Sequence, residues 1–175
     1  MIIIDKHGNK KSIKDWQWLF SLLTYHDAPL FPYVNHIWAQ NGCVYTTDGH
    51  RVHCLELDEL TNPIPIEPGT YRVAFNPAEF ILIPETVKFP DIDAVWPKDG
   101  NGERKIDLFD TMSRVLTVLN TETENLFNVD YLQDALGIKR DGAAAISARA
   151  IIFGKDQPIG LYYEPRKALV MPMRG

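Results

Sequence analysis

The 175-residue sequence contains only two cysteines and has no apolar run long enough to cross a membrane. A chain of this length can bury a hydrophobic core without disulfide bonds. Its first residues, MIIIDKHGNKK, place the lysines after the apolar residues and lack the long apolar region of a signal peptide. These absences predict a cytoplasmic protein of one domain or two very small ones, with no membrane segment.

An excess of positive charge is also missing, because the formal net charge is −5. This value argues against a protein that coats nucleic acid with its whole surface. A locally basic face on an acidic body remains compatible with it.

The two cysteines, Cys43 and Cys54, lie on either side of Asp48-Gly49. If Asp48-Gly49 forms a two-residue hairpin turn, Cys43 lies opposite Cys54 and a cross-strand disulfide is geometrically conceivable. A cytosolic protein keeps its thiols reduced. We therefore expect two small buried thiols on one face of the hairpin.

Two segments have helical patterns, residues 12–26 and 127–137. Ser12 is predicted to cap the first, and Asn128 and Gly137 are predicted to begin and end the second. A helical turn is also predicted after Asn76. The remaining periodic segments predict strands: residues 2–4, three strands within 33–57 joined by Asn41-Gly42 and Asp48-Gly49, then 70–75, 105–109, 114–120, 143–148, 150–154, 158–163 and 167–174.

The order of elements is helix then strands, twice. The irregular, polar stretch 89–105 separates the two series and predicts halves at 1–97 and 98–175, forming one compact unit. Sequential antiparallel strands with helices on one face indicate an α+β fold.

Several single motifs in the sequence allow more than one chemical interpretation. Asp48, His50, His53 and Cys54 are potential metal ligands, but positions 50 and 54 share one strand face while 53 points to the other. We favour a polar hairpin tip over a metal site.

Cys54 and Ser147 are conceivable nucleophiles, yet no GxSxG, HExxH or phosphate-loop motif accompanies them. We therefore predict no enzyme, cofactor or metal. The aromatic pairs Trp16/Trp18 and Tyr162/Tyr163 are candidates for stacking on bases. Trp16 is assigned to the core instead, because it is in phase with the apolar stripe of the first helix.

Three segments occur in the order TDGHRV (47–52), KFPDIDAVWP (88–97) and ALVMPMRG (168–175). Together they resemble the bacterial DNA polymerase III beta subunit, the sliding clamp. Residues 127–136, FNVDYLQDAL, are similar to a helix in the last domain of such clamps. The resemblance implies a DNA-clamp-like α+β fold of two helix-plus-antiparallel-strands halves.

In that family the three segments form one hydrophobic cleft, into which polymerases, the clamp loader and repair proteins insert short linear peptides. The resemblance implies that the cleft of this chain contains Thr47, Gly49, His50, Arg51, Val52, Pro90, Val95, Leu169, Val170, Met171, Pro172, Met173 and Arg174.

The residue types suit peptide binding. Methionines adapt to several partners, while Val52, Val95, Val170 and Pro172 offer apolar walls. Arg51 and Arg174 are expected to hold a peptide carbonyl or carboxylate at the rim. Burial of two or three apolar side chains, less the cost of ordering the peptide, predicts roughly micromolar affinity.

The sequence also departs from the family. The chain is shorter than a three-domain clamp, and Ala94 and Ile92 replace the arginine and tyrosine of the family's connector. Clamp helices carry basic residues toward DNA, and here Lys10, Lys11 and Lys14 are the candidate DNA contacts, whereas the second helix carries Asp130 and Asp134.

We therefore predict a shortened sliding-clamp homologue that acts in DNA replication or repair by binding peptides of polymerases or clamp-loader-type partners. The alternative is a monomeric adaptor or decoy that captures such peptides without encircling DNA. A homo-oligomer and contact with double-stranded DNA are left open.

Overall fold

The fold is taken from a computed structural model that describes residues 1–8, 12–23, 31–96, 104–110, 112–123, 125–137 and 146–173. The chain forms two units, Met1–Pro90 with Glu164–Arg166, and Asp91–Tyr163 with Lys167–Gly175. The predicted boundary at 97/98 lies outside the described residues. The strands are β1 Ile2–Asp5, β2 His36–Gln40, β3 Cys43–Thr47, β4 Arg51–Glu56, β5 Gly69–Phe75, β6 Glu79–Pro84, β7 Arg104–Asp110, β8 Ile146–Ile152, β9 Ile159–Tyr163 and β10 Arg166–Val170; the helices are α1 Ile13–Phe20, α2 Ile92–Val95, α3 Met112–Glu122 and α4 Val129–Ala135.

The first unit contains an antiparallel sheet in the order β1-β6-β5-β2-β3-β4. The predicted Asn41-Gly42 turn is confirmed, since Gln40 pairs with Cys43 and both turn residues have positive φ, 52° and 74°. Asparagine and glycine tolerate this backbone region better than other residues. The three predicted strands between residues 33 and 57 are therefore present and joined as a meander.

Helix α1 packs on one face of this sheet. The hydroxyl of Thr46 donates to the carbonyl of Leu19 at 2.8 Å, and the Nδ1 of His53 lies 3.2 Å from the carbonyl of Trp18. Trp16 is fully buried, as its place in the apolar stripe predicts. The inward-facing residues of both layers make a continuous core: Trp16, Leu19, Ile37, Val44, Leu55, Val73, Leu82 and Ile4.

The predicted cap of α1 is wrong. Ser12 has helical backbone angles, φ −87° and ψ −10°, and its side chain makes no capping hydrogen bond. The helix begins instead with the Ser12 carbonyl, which accepts from the N–H groups of Asp15 and Trp16. Ser12 itself is buried, and its hydroxyl has no hydrogen-bond partner among the described residues.

The second unit contains strands in the order β10-β9-β8-β7 with helices α3 and α4. The predicted ends of α4 are confirmed. The Asn128 side chain accepts from the N–H groups of Asp130 and Tyr131, and Gly137 has φ +66° after the last turn. The buried residues of this unit are mostly aliphatic: Val115, Leu119, Leu132, Ala135, Ala150, Ile159, Leu161, Ala168, Leu169 and Val170.

Three element predictions are wrong. Residues 114–120 belong to helix α3, because Val115 and Leu119, four residues apart, are the buried positions. The helical turn after Asn76 is replaced by strand β6, and the Asn76 side chain accepts from the N–H groups of Ala78 and Glu79 in a turn. The described parts of the strands predicted at 143–148 and 150–154 belong to one continuous strand, β8 Ile146–Ile152, and residues 143–145 lie outside the described residues.

The α+β class is confirmed: helices accompany antiparallel sheet in both units. Among the described residues, no helix is both long and apolar enough to cross a membrane.

Candidate functional site

The hairpin tip, residues 47–52, joins β3 to β4. Thr47 pairs with Val52, so the loop between them has four residues rather than the two predicted. The consequence is a different register, in which Cys54 lies opposite Tyr45 and Cys43 opposite Glu56. The prediction that Cys43 lies opposite Cys54 is therefore wrong, and the two cysteines form no disulfide bond with each other.

Side chains explain the longer loop. The hydroxyl of Thr47 donates to the Arg51 carbonyl at 2.7 Å and accepts from the Gly49 N–H at 3.1 Å. One carboxylate oxygen of Asp48, Oδ1, accepts from the N–H groups of His50 and Arg51, both at 3.0 Å. These bonds satisfy backbone groups that a two-residue turn would satisfy by strand pairing.

The charged residue of the tip is Arg51. Its Nε lies 2.9 Å from Asp48 Oδ2, and the exposed fractions of the two side chains are 11% and 16%. Gly49 adopts φ +89°, where a side chain would be strained, and a Cβ added there would lie 3.8 Å from the Tyr33 hydroxyl. His50 and Gly49 are exposed, whereas Thr47 and Val52 are buried.

Behind the tip, His53 occupies a fully buried position. Its ring stacks on Trp18 with centroids 4.1 Å apart, and its Nε2 has no hydrogen-bond partner. Burial lowers the pKa of His53 to about 3, and the charges of Arg51 and Arg166 act in the same direction. His53 is therefore neutral near pH 7, and it packs between strand β4 and helix α1.

No group of three or more metal-ligating side chains occurs in the described part of the chain. His53 faces α1, where its Nδ1 lies near the Trp18 carbonyl, whereas His50 is exposed at the loop. Cys54 is buried, and burial together with the two cysteines raises the pKa of the neighbouring Tyr45.

The connector between the units carries Pro90 and Val95. Pro90 is half-buried, while Val95, at the end of the short helix α2, is 41% exposed. The Asp91 side chain begins this helix by accepting from the N–H of Ala94 at 3.2 Å. Ile92 is buried, so the position where the family offers a tyrosine is part of the core of this chain.

The C-terminal tail, residues 169–174, is described as far as Met173, and Arg174 lies outside the described residues. Leu169 and Val170 are fully buried in β10, and Pro172 is half-buried. Met171 and Met173 are 37% and 57% exposed. In the second unit, the two methionines are thus the tail side chains that offer apolar surface.

One neighbour of the tail was missed by sequence reasoning. The N–H of Met173 donates to the carbonyl of Leu126 at 2.8 Å, and the Leu126 side chain is 70% exposed. Leu126 precedes α4 and is out of phase with any periodic pattern. The quoted clamp-like segment, residues 127–136, begins one position after Leu126.

The candidate DNA contacts are only partly described. Lys10 and Lys11 lie outside the described residues, and Lys14 is exposed on α1. In the second unit, Asp130 and Asp134 are exposed on α4. The acidic character predicted for this helix is present at its surface.

No family model matches the chain, and no curated protein matches it in sequence. Solved structures do match. The DNA polymerase III beta subunit of Pseudomonas aeruginosa is 17% identical with a TM-score of 0.57, over 99% of this chain and 66% of the other. The Caulobacter crescentus pol III beta structure is 14% identical with a TM-score of 0.61, over 99% and 65%.

The Bacillus subtilis DNA polymerase sliding clamp is 15% identical with a TM-score of 0.55, over 99% of this chain and 64% of that one. The chain therefore has the fold of bacterial sliding clamps along nearly its whole length, and it spans just under two thirds of each of these clamps.

Proposed function

We propose that this chain is a clamp-like accessory protein of DNA replication or repair that binds short linear peptides of polymerases or clamp-loader-type partners. The observation that supports the proposal is the sliding-clamp fold over 99% of the chain, combined with the TDGHRV hairpin and the MPMR tail. Its action is binding, without catalysis.

Both groups of residues have the chemistry that this function needs. The hairpin tip offers ordered polar groups that fix the direction of a peptide backbone. Met171, Met173 and Val95 offer exposed apolar surface, and thioether side chains adapt to different partners. The fully buried Leu169 and Val170 support these residues from the core.

The test uses a fluorescent peptide copied from the clamp-binding segment of a bacterial polymerase. We expect roughly micromolar binding to the wild-type chain. A chain without residues 171–175 and the double variant Met171→Ala/Met173→Ala are expected to bind about tenfold more weakly or worse, because each lost apolar contact removes ~1–2 kcal/mol.

Val118→Ala is the matched control, because Val118 is an exposed apolar residue of α3 outside the predicted site. If the wild type and the shortened chain bind the peptide equally, or if neither binds it, the assignment of the site is wrong. The substitutions keep the backbone bond from Met173 to Leu126, so they separate lost contacts from an unravelled tail.

A second candidate function is a monomeric adaptor or decoy for clamp-binding peptides. The exposed Asp130 and Asp134 on α4 favour it, since they repel phosphates. Sedimentation with and without duplex DNA distinguishes the two functions. A closed oligomer that retains circular DNA supports a ring, in which Lys10, Lys11 and Lys14 are candidate contacts, and a monomer that binds only peptide supports the adaptor.

A further inference from the structure

The guanidinium of Arg51 already has a counter-ion within the hairpin tip. Its Nε lies 2.9 Å from Asp48 Oδ2, and both side chains are largely buried. A pair shielded from water interacts more strongly, and is less screened by salt, than an exposed pair. The positive charge of Arg51 is therefore matched locally.

The Asp48 carboxylate is held in place without help from the Arg51 side chain. Its other oxygen, Oδ1, accepts from the backbone N–H groups of His50 and Arg51. The loop backbone thus fixes the carboxylate, and the carboxylate in turn fixes the guanidinium. Because each carboxylate oxygen has its own partner, the ion pair is part of the hydrogen-bonded structure of the loop.

The second cation near this strand is matched in the same way. Arg166 lies 2.6 Å from Asp15, with exposed fractions of 14% and 18%. Both arginines act on the buried His53, which is neutral. Arg51 and Arg166 are therefore each paired with a carboxylate, and the neutral His53 adds no further charge.

We propose that Asp48 is a specificity-determining residue that makes the hairpin tip select peptides with a neutral contacting group over peptides with a carboxylate. The inference rests on the proposed peptide-binding function. A carboxylate that approaches Arg51 also approaches Asp48 and is repelled by it. A backbone carbonyl or a carboxamide accepts a hydrogen bond without that repulsion.

The test compares two fluorescent peptides that share their apolar residues and differ only in carrying glutamine or glutamate at the polar positions. The measured quantity is the ratio of their dissociation constants at pH 8, above the ordinary pKa of histidine. We expect the wild type to favour the glutamine peptide about threefold to tenfold.

Asp48→Asn keeps an oxygen acceptor for the loop N–H groups while it removes the negative charge. With the negative charge of Asp48 removed, the preference for the glutamine peptide is expected to vanish or reverse. Arg51→Gln leaves Asp48 unmatched, so the preference for the glutamine peptide is expected to widen. Because the two changes act in opposite directions, general loss of stability cannot imitate both.

Asp58→Asn is the control for overall charge, since Asp58 is exposed in the loop after β4, and its ratio is expected to stay within about twofold of wild type. The inference is overturned if Asp48→Asn leaves the ratio unchanged, or if Asp58→Asn shifts it equally. If the wild type binds neither peptide, the proposed function fails and the inference fails with it. If both peptides bind but Asp48→Asn does not change the ratio of their dissociation constants, the inference fails while the proposed function stands.

Discussion

The hairpin tip and the C-terminal tail are both proposed to bind peptide, yet they are built in opposite ways. Thr47, Asp48 and Arg51 close the tip with five hydrogen bonds inside a single loop. The tail exposes two flexible thioether side chains, Met171 and Met173, and one backbone bond joins it to Leu126.

This difference separates two requirements of peptide recognition. A fixed polar loop sets orientation and excludes unsuitable groups, because its donors and acceptors do not rearrange. Adaptable apolar side chains supply affinity for peptides that differ in shape. Substitutions in the tip should therefore change stability and selectivity, whereas substitutions in the tail should change the affinity for different peptides and leave stability almost unchanged.

The largest contrast is expected from the same substitution at two leucines. Leu55 is fully buried in β4 behind the tip, and Leu55→Ala is expected to lower the unfolding free energy of the protein by about 2–5 kcal/mol. Leu126→Ala, beside the tail, is expected to cost less than ~0.5 kcal/mol, since that side chain is 70% exposed. Urea unfolding measures both. Equal losses would contradict the view that the tip is part of the core and the tail surface is not.

A smaller effect is expected from pH, through His53. Its folded pKa of about 3 lies below the ordinary value of 6.5, so between these values the unfolded chain binds a proton that the folded chain does not. Stability is therefore complete above pH 6.5 and falls as pH decreases, by about 2 kcal/mol between pH 7 and pH 5. Urea unfolding at both pH values measures it.

The control is His53→Phe, which keeps a ring against Trp18 but cannot titrate. Its stability should change less between pH 7 and pH 5, whatever its absolute value. The comparison stops at pH 5 because protonation of carboxylates also lowers stability below it. Glu85 is one of them, since its hydrogen bonds to Arg72 and His36 lower its pKa in the folded protein. Parallel pH profiles for the two proteins would show that His53 does not titrate on unfolding.

Thr47 provides the next effect in size. Thr47→Val removes a buried hydroxyl that both donates and accepts in the loop, and should cost about 1–2 kcal/mol of unfolding free energy. Thr47→Ser retains the hydroxyl and should recover most of that loss. If valine and serine are equally stable, the hydrogen bonds of Thr47 do not hold the tip.

The sequence predicted best where a local signal decides the structure. Asn41-Gly42 formed the expected turn because both residues tolerate positive φ, and Asn128 capped α4 because its side chain reaches the next N–H groups. The tip register was mispredicted because it depends on bonds from Thr47 and Asp48 to the loop backbone. The Asp48-Gly49 turn motif alone does not indicate that these hydrogen bonds form.

Helix α3 and Leu126 show two further limits. Residues 114–120 are rich in β-branched and apolar types, which favour strands in isolation, and packing of Val115 and Leu119 on one face prevails over that preference. Leu126 is exposed and belongs to no periodic apolar pattern, so the local sequence does not indicate that it contacts the tail. Its place beside Met173 comes from a backbone bond across 47 positions of sequence.

The smallest effect on stability is expected in the tail. Met171→Leu/Met173→Leu keeps the apolar volume but removes the flexibility of the thioethers, and should change the unfolding free energy by less than ~0.5 kcal/mol. Against a panel of peptides with different apolar residues, wild-type affinities should be similar, whereas the leucine variant should favour some peptides over others by about threefold or more. Fluorescence titration of the panel measures this spread. An unchanged spread would mean that the tail contributes apolar area without adaptability, and that discrimination between partners depends on the tip alone.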